Sequence, residues 1–233
     1  MNIIQLYRKI KFHFIRNNSD KYIEHLKKSG IEIGKGNVIQ WNCNIDETRP
    51  SLVTIGDNNF FSTGFTLLTH DWVTTLFRNK YHELLPSSGR VTIGNNNYFG
   101  QKVTVLKGVT IGDNCVIGLG SIVTHDIPSN SVAVGIPARV IGNTDDYFEK
   151  RKHKCIEESF EYVRAFENRN HRRPELSDLW EEFPLFVDKT NITPEEELLA
   201  QRMLRGGYAM WLENHKAIFS SLEEFIKTAE YTK

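Results

Sequence analysis

The chain predicts an all-β solenoid, a stack of short strands and tight corners, and three observations carry that prediction. A bulky apolar residue recurs at every sixth position from Ile93 through Phe99, Val105, Ile111 and Ile117 to Val123. A period of six fits neither the 3.6-residue repeat of an amphipathic helix nor the two-residue alternation of a strand, so each unit must hold one short strand and one turn. The same step links Ile33, Ile39 and Ile45, and then Ile55, Phe61 and Leu67, with interruptions at residues 46–54 and 68–92. Glycine often follows the rung, as in Ile33-Gly34, Ile55-Gly56, Ile93-Gly94, Phe99-Gly100, Ile111-Gly112 and Ile117-Gly118, where a corner needs an unhindered backbone.

Three such units make one triangular turn, and residues eighteen apart then lie above one another at roughly the 4.8 Å spacing of paired strands. Ile93 is expected on Ile111, Phe99 on Ile117, and Val105 under Val123. Asp57-Asn58, Asn95-Asn96 and Asp113-Asn114 supply polar turn residues after the rungs. Chance spacing in a β-sandwich is the competing explanation, and six unbroken rungs with matched glycines argue against it.

The elements follow in order. In residues 1–30, Ile3, Tyr7, Ile10 and Phe14 keep helical spacing, with Arg8, Lys9, Lys11 and Arg16 among them. A helix there is expected to cover the open first coil, since an uncapped solenoid end exposes strand edges; peripheral contact with an anionic membrane is the other reading. The solenoid domain is expected over residues 31–142, with the loop 68–92 protruding from it at a length that often carries function. Residues 143–233 turn helical, with Phe148, Ile156, Phe160, Val163 and Phe166 on one face and Arg173-Pro174 breaking the run. Thr193-Pro194-Glu195-Glu196 and Ser221-Leu222-Glu223-Glu224 read as capping boxes that start two more helices, and Gly206-Gly207 is expected to kink or end the first. This extension serves either packing and assembly or the binding of a large acceptor.

Composition excludes several classes. Cys43, Cys115 and Cys155 are odd in number and contain no CxxC pair, so neither a disulfide framework nor a cysteine zinc site is indicated, and a reducing cytoplasm is the expected location. No apolar stretch reaches membrane-spanning length. The net charge of zero divides into +5 over residues 1–30 (seven Lys and Arg, two acids), 0 over the middle, and −5 over residues 143–233 (fourteen against nineteen). That balance leaves no broad basic surface for nucleic acid.

The stretch VTIGNNNYFGQKVTVLKGVTIGDNCVIGLGSIVTHDIPSNSVAVGIPARVIG, residues 91–142, resembles the hexapeptide-repeat acyltransferases, especially their maltose and galactoside acetyltransferase branch, and the terminal helices look like the extension of polysaccharide-biosynthesis O-acetyltransferases. The resemblance implies a left-handed parallel β-helix, against the usual right-handed crossover rule. It also implies a homotrimer, with acetyl-CoA bound in a groove between subunits and a histidine beside the protruding loop as the base. The matching segment here is Thr66-Leu67-Leu68-Thr69-His70-Asp71, which makes His70 the expected catalytic residue.

A sugar hydroxyl is a poor nucleophile at neutral pH, and a histidine can accept its proton as the thioester is attacked. Direct transfer then needs a backbone N–H to hold the developing oxyanion and no covalent enzyme intermediate. His82, followed by Glu83, is the rival base, and Asp71 is a possible partner that orients the imidazole, although a backbone carbonyl could do the same. By resemblance, cofactor contacts fall on Gly100, Gln101, Leu119, Thr124, His125 and Arg139. Gln101, Leu119 and His125 depart from the family's usual serine, alanine and lysine. Arg139 has its own rationale, a permanent charge suited to a phosphate. Trp41 and Asn42 align roughly with the branch's sugar-contacting coil, where tryptophan can stack on a sugar face or simply pack a corner.

The expected function is acetyl-CoA-dependent O-acetylation of a saccharide in surface polysaccharide biosynthesis. N-acetylation of an amino sugar and a noncatalytic scaffold are alternatives. A zinc site of His70, His82 and His125 on a solenoid like the γ-class carbonic anhydrases is disfavoured because their spacing does not match that family's ligands, and no metal is expected.

Overall fold

The sixfold ladder folds as twelve parallel strands of two or three residues in the computed structural model, which describes residues 15–232. They are β1 (Glu32–Ile33), β2 (Val38–Ile39), β3 (Asn44–Ile45), β4 (Val53–Ile55), β5 (Phe60–Phe61), β6 (Thr66–Leu67), β7 (Val91–Ile93), β8 (Tyr98–Phe99), β9 (Thr104–Val105), β10 (Thr110–Ile111), β11 (Val116–Ile117) and β12 (Ile122–Val123). Every third strand pairs, giving three sheets: β1-β4-β7-β10, β2-β5-β8-β11 extended by β13 (Ser131–Gly135) and β14 (Ala138–Asn143), and β3-β6-β9-β12. The expected stacking is observed, with Ile111 opposite Ile93, Ile117 opposite Phe99 and Val123 opposite Val105. The interruptions do not break register: Ile33 still meets Ile55 and Ile55 meets Ile93, because the inserted chain is looped out of the coil.

All twelve rungs point inward, none more than 8% exposed. The middle column is aromatic, with Phe61 stacked on Phe99 at 4.9 Å between centroids and Phe65 edge-on to Phe99 at 5.1 Å. A short strand buries too little to stand alone, so stability comes from coil against coil. The corners enforce that closeness. A Cβ on Gly94 would lie 2.8 Å from the carbonyl carbon of Gly112 on the coil above, which no side chain can satisfy without separating the strands. At one corner Asn58, Asn96, Asn114 and Asn130 adopt left-handed backbone conformations, and Asn96 Nδ2 donates to Asn114 Oδ1 while Asn114 Nδ2 donates to Asn130 Oδ1.

The first coil is covered by the helix Ser19–Ser29, which Asn18 caps and Gly30 ends in a left-handed turn. Tyr22 and Leu26 join the solenoid core. Side chains also satisfy the free strand edge: Ile39 N–H donates to Ser19 Oγ (2.9 Å), Ile45 N–H to Tyr22 Oη (3.2 Å), and Arg16 donates to the Cys43 carbonyl. Ile3, Tyr7, Ile10 and Phe14, with the basic residues between them, lie outside the described residues. At the other end the chain turns back, and β14 runs antiparallel to β13.

The chain divides into two compact units at residues 148 and 149. The second has its own apolar cluster, formed by Phe160, Val163, Leu179, Phe183, Phe186 and Phe225. The predicted helix face is corrected at both ends, because Phe148 is 58% exposed and neither it nor Phe166 belongs to that cluster. The long helix Thr144–Asn170 stops three residues before Arg173, with His171 at φ 53. Thr193 forms the expected reciprocal box: its N–H donates to Glu196 Oε2 (2.8 Å) and its Oγ1 accepts from Glu196 N (3.4 Å), starting the helix Pro194–Leu204. At the second box Ser221 Oγ accepts from Glu224 N, but Glu224 reaches the N–H of Ser220 instead. Gly206-Gly207 ends the first helix in a 3-10 turn, after which a further helix, Tyr208–Asn214, forms that the sequence pattern did not announce.

Candidate active site

Most of the predicted residues fall on two corners that flank the third sheet, while His82 ends the loop helix and Arg139 lies on β14. Between the second and third sheets, Trp41, Thr63, Gln101 and Leu119 each follow a rung by two positions, so they stack along one edge. Asn42, Gly64, Lys102 and Gly120 come next, all with positive φ. Between the third and first sheets lie His70, Asp71, Thr124 and His125, each following a rung of the β3-β6-β9-β12 column. On the first of these corners Gln101, Leu119, Trp41 and Asn42 are exposed.

His70 is placed by the base of the loop. Asp71 N–H donates to Ser87 O (3.1 Å) and Gly89 N–H to Thr69 O (2.9 Å), so the returning chain pairs antiparallel with residues 69–71. Between these ends the loop forms the helix Thr74–Tyr81. The imidazole is about one-fifth exposed, and its Nδ1 lies 2.8 Å from Asp46 Oδ2.

Asp46 was not foreseen as a site residue. It directly follows the rung Ile45, where the other coils of the column carry Leu68, Leu106 and Thr124, so a lone carboxylate at that slot was the available signal. Its carboxylate is buried and accepts from five donors. Oδ1 takes Thr48 N (3.0 Å) and Thr48 Oγ1 (2.6 Å); Oδ2 takes Thr69 N (3.1 Å), Thr69 Oγ1 and His70 Nδ1. Burial pushes the carboxyl's pKa up, but the side-chain and backbone hydrogen bonds from Thr48 and Thr69 outweigh it and hold the group well below its ordinary 3.8. An ionised Asp46 can only accept, so Nδ1 carries the hydrogen and, in the neutral ring, Nε2 bears the lone pair.

The carboxylate in contact with the imidazole is therefore Asp46, not Asp71 as considered from the sequence. Successive side chains of an extended segment diverge, and Asp71 turns the other way, to Val73 N–H (3.0 Å), Ser87 Oγ (3.1 Å) and the Lys107 ammonium. The Lys107 hydrogen bond, then that from Val73, lowers its pKa to about 2. His82 is exposed and ends the loop helix in a left-handed conformation, while the cluster around His70 is built from Asp46, Thr48 and Thr69.

Of the residues expected at the donor site, Gly100 has a different reason for lacking a side chain. Its Cβ would meet Leu119 N at 2.6 Å and Leu119 Cα at 2.9 Å, so the next coil of the same chain demands the glycine. Thr124 Oγ1 lies 2.7 Å from His125 Nδ1. Arg139 stands on β14 opposite Val134, exposed, with Nη1 donating to Ala138 O. Among the described residues no group of three or more His, Cys, Asp or Glu side chains is placed to hold a metal ion, and no helix is long and apolar enough to cross a membrane.

Comparison with known proteins bears on the repeat. Residues 90–125 match the model of the bacterial transferase hexapeptide (six repeats). The galactoside O-acetyltransferase of Escherichia coli K12 is 42% identical over 123 residues, 51% of this chain and 56% of that protein. The chain thus spans about half the length of the curated relatives it matches. Among solved structures, a galactoside acetyltransferase in complex with coenzyme A is 32% identical, covering 61% of this chain and 82% of the other with a TM-score of 0.48. A hexapeptide-repeat acetyltransferase of Vibrio cholerae complexed with acetyl coenzyme A is 25% identical, covering 49% and 60% with a TM-score of 0.43. Residues 90–125 thus carry the hexapeptide repeat of bacterial transferases, and about half of the chain is similar in sequence to galactoside O-acetyltransferase.

Proposed function

We propose that this protein is an acetyl-CoA-dependent O-acetyltransferase that modifies a saccharide hydroxyl, with His70 as general base and Asp46 as its positioning residue. The observation that carries the reading is the 2.8 Å contact between His70 Nδ1 and a buried, fully hydrogen-bonded carboxylate. Asp46 fixes the ring, keeps the hydrogen on Nδ1, and stabilises the imidazolium formed when Nε2 takes the hydroxyl proton. Acetyl-CoA supplies an activated thioester. Gln101 and Leu119 offer an exposed amide and apolar surface along one corner, and Arg139 offers a guanidinium suited to a phosphate. Thr124 and His125 stand on the other flanking corner, beside the His70 column.

The same reading takes the solenoid domain, residues 31–142, as a left-handed β-helix acting as a homotrimer. Two features support assembly. The Gln101–Leu119 corner and the His70 corner lie on opposite edges of one sheet, so a second subunit would bring one of each together. The outward column of the second sheet, Val38, Phe60, Tyr98 and Val116, is apolar, whereas the first sheet shows Glu32, Thr54, Thr92 and Thr110. Residues 1–30 are read as the cap, residues 143–233 as an acceptor-side or assembly module, and the acceptor as a unit of a surface polysaccharide.

Purified protein incubated with acetyl-CoA and a panel of saccharides should release CoA thiol and yield an O-linked acetyl product. An N-linked product would redirect the reading to amino sugars, and no thiol release with any acceptor would overturn it. Light scattering at three times the 26.9 kDa chain mass is the expected assembly result.

A further inference from the structure

We propose that Trp72, on the loop beside the base, is the platform on which the acceptor's sugar ring stacks while one of its hydroxyls faces His70. This rests on the O-acetyltransferase reading above and adds to it a specificity-determining residue. Trp72 is 74% exposed, an arrangement that costs solvation free energy unless something covers the ring. Its centroid lies 6.4 Å from that of His70 with the planes 72° apart. The two rings therefore meet edge to face, and at 74% exposure most of the indole surface stays open beside the base.

The surrounding chain holds the backbone at this position in place. Trp72 O accepts from Thr75 N at 3.0 Å, tying the residue to the first turn of the loop helix. On its other side Asp71 binds Val73 N–H, Ser87 Oγ and the Lys107 ammonium of the next coil. The ring borders a shallow surface that also includes Val73, Leu76, Thr75, Asn79 and Lys80. Such a surface fits a saccharide better than a wholly apolar partner: a pyranose presents an apolar C–H face to the indole and hydroxyls to the amide, hydroxyl and ammonium around it.

The test compares wild type, Trp72→Ala and Trp72→Phe in steady-state acetyl transfer, using methyl galactoside, maltose and a hydrolysate of bacterial surface polysaccharide as acceptors. Circular dichroism and elution volume establish that each variant is folded and assembled. The expected result is an acceptor KM raised about tenfold or more in Trp72→Ala, with the acetyl-CoA KM unchanged and Trp72→Phe restoring most of the loss. Wild-type turnover with an unchanged acceptor KM in Trp72→Ala overturns the proposal alone. A shift confined to the acetyl-CoA KM would assign the indole to the donor, and a variant that merely loses its assembly would assign it to a subunit contact; both overturn it. Absence of thiol release from wild type with every acceptor removes the underlying reading as well.

Discussion

Replacing Asp46 by asparagine is the most searching single change at the His70 cluster. The wild-type carboxylate accepts five hydrogen bonds, two of them from backbone N–H groups and one from the imidazole. An amide keeps one acceptor oxygen and turns the other position into a donor. If the oxygen stays toward Thr48, the NH2 opposes Thr69 N–H and His70 Nδ1, and the ring must move its hydrogen to Nε2, which removes the basic lone pair from the reacting side. If the oxygen turns toward His70, Thr48 N–H and Oγ1 lose their acceptor. Losing a charged acceptor in a buried cluster should cost about 1–3 kcal/mol of stability, read by urea denaturation at neutral pH. Turnover should fall about 10²-fold or more, the usual worth of a positioned general base, with the acetyl-CoA KM little changed. The pH dependence supplies a second reading. Because the folded carboxyl titrates below its ordinary value, its stabilisation is present above about pH 4 and disappears as acid carries the solution through the folded pKa, so Asp46→Asn should flatten the acid limb of stability. A folded Asp46→Asn enzyme with at least half of wild-type turnover would refute the positioning role.

Three further outcomes are expected. Gly100→Ala should destabilise the protein by about 1–3 kcal/mol or prevent its folding, because the new methyl meets the Leu119 backbone; a thermal or urea transition unchanged from wild type would contradict the coil spacing. Tyr22, buried in the cap, has its pKa pushed up to about 12, so the folded state holds the phenol proton, and stability present below about pH 10 should be lost as pH rises toward 12. The loss should be on the order of 2 kcal/mol and absent in Tyr22→Phe, and parallel alkaline unfolding of the two proteins would sink the assignment. Asp71→Asn should speed proteolytic cutting within residues 72–86 while lowering turnover less than Asp46→Asn does; equal cutting rates would show that the Lys107 and Ser87 contacts do not anchor the loop.

The fold was legible because its energetics are local and repetitive. Each rung from Ile33 to Val123 is buried by the rung one coil away, so a sixfold apolar step contains the register without any long-range information. His70 stood out as a candidate for a related reason, standing three residues beyond the rung Leu67 at the mouth of the longer interruption. Asp46 was hidden by the shorter one: residues 46–54 stretch the coil step to 22 residues, and only after that offset does Asp46 come under Leu68, two residues from His70. The antiparallel turn of β14 and the helix Tyr208–Asn214 escaped pattern reading because neither repeats. Phe148 was assigned to a helix face by spacing alone, while its burial depended on where the second unit's core begins.

The most direct test of the account is the initial rate of CoA-thiol release from acetyl-CoA with a saccharide acceptor, measured for wild type and His70→Ala at matched assembly state. A fall of about 10²–10⁴-fold is expected, with acetyl-CoA binding retained by calorimetry. A folded His70→Ala protein that transfers acetyl groups at a near-normal rate would contradict it.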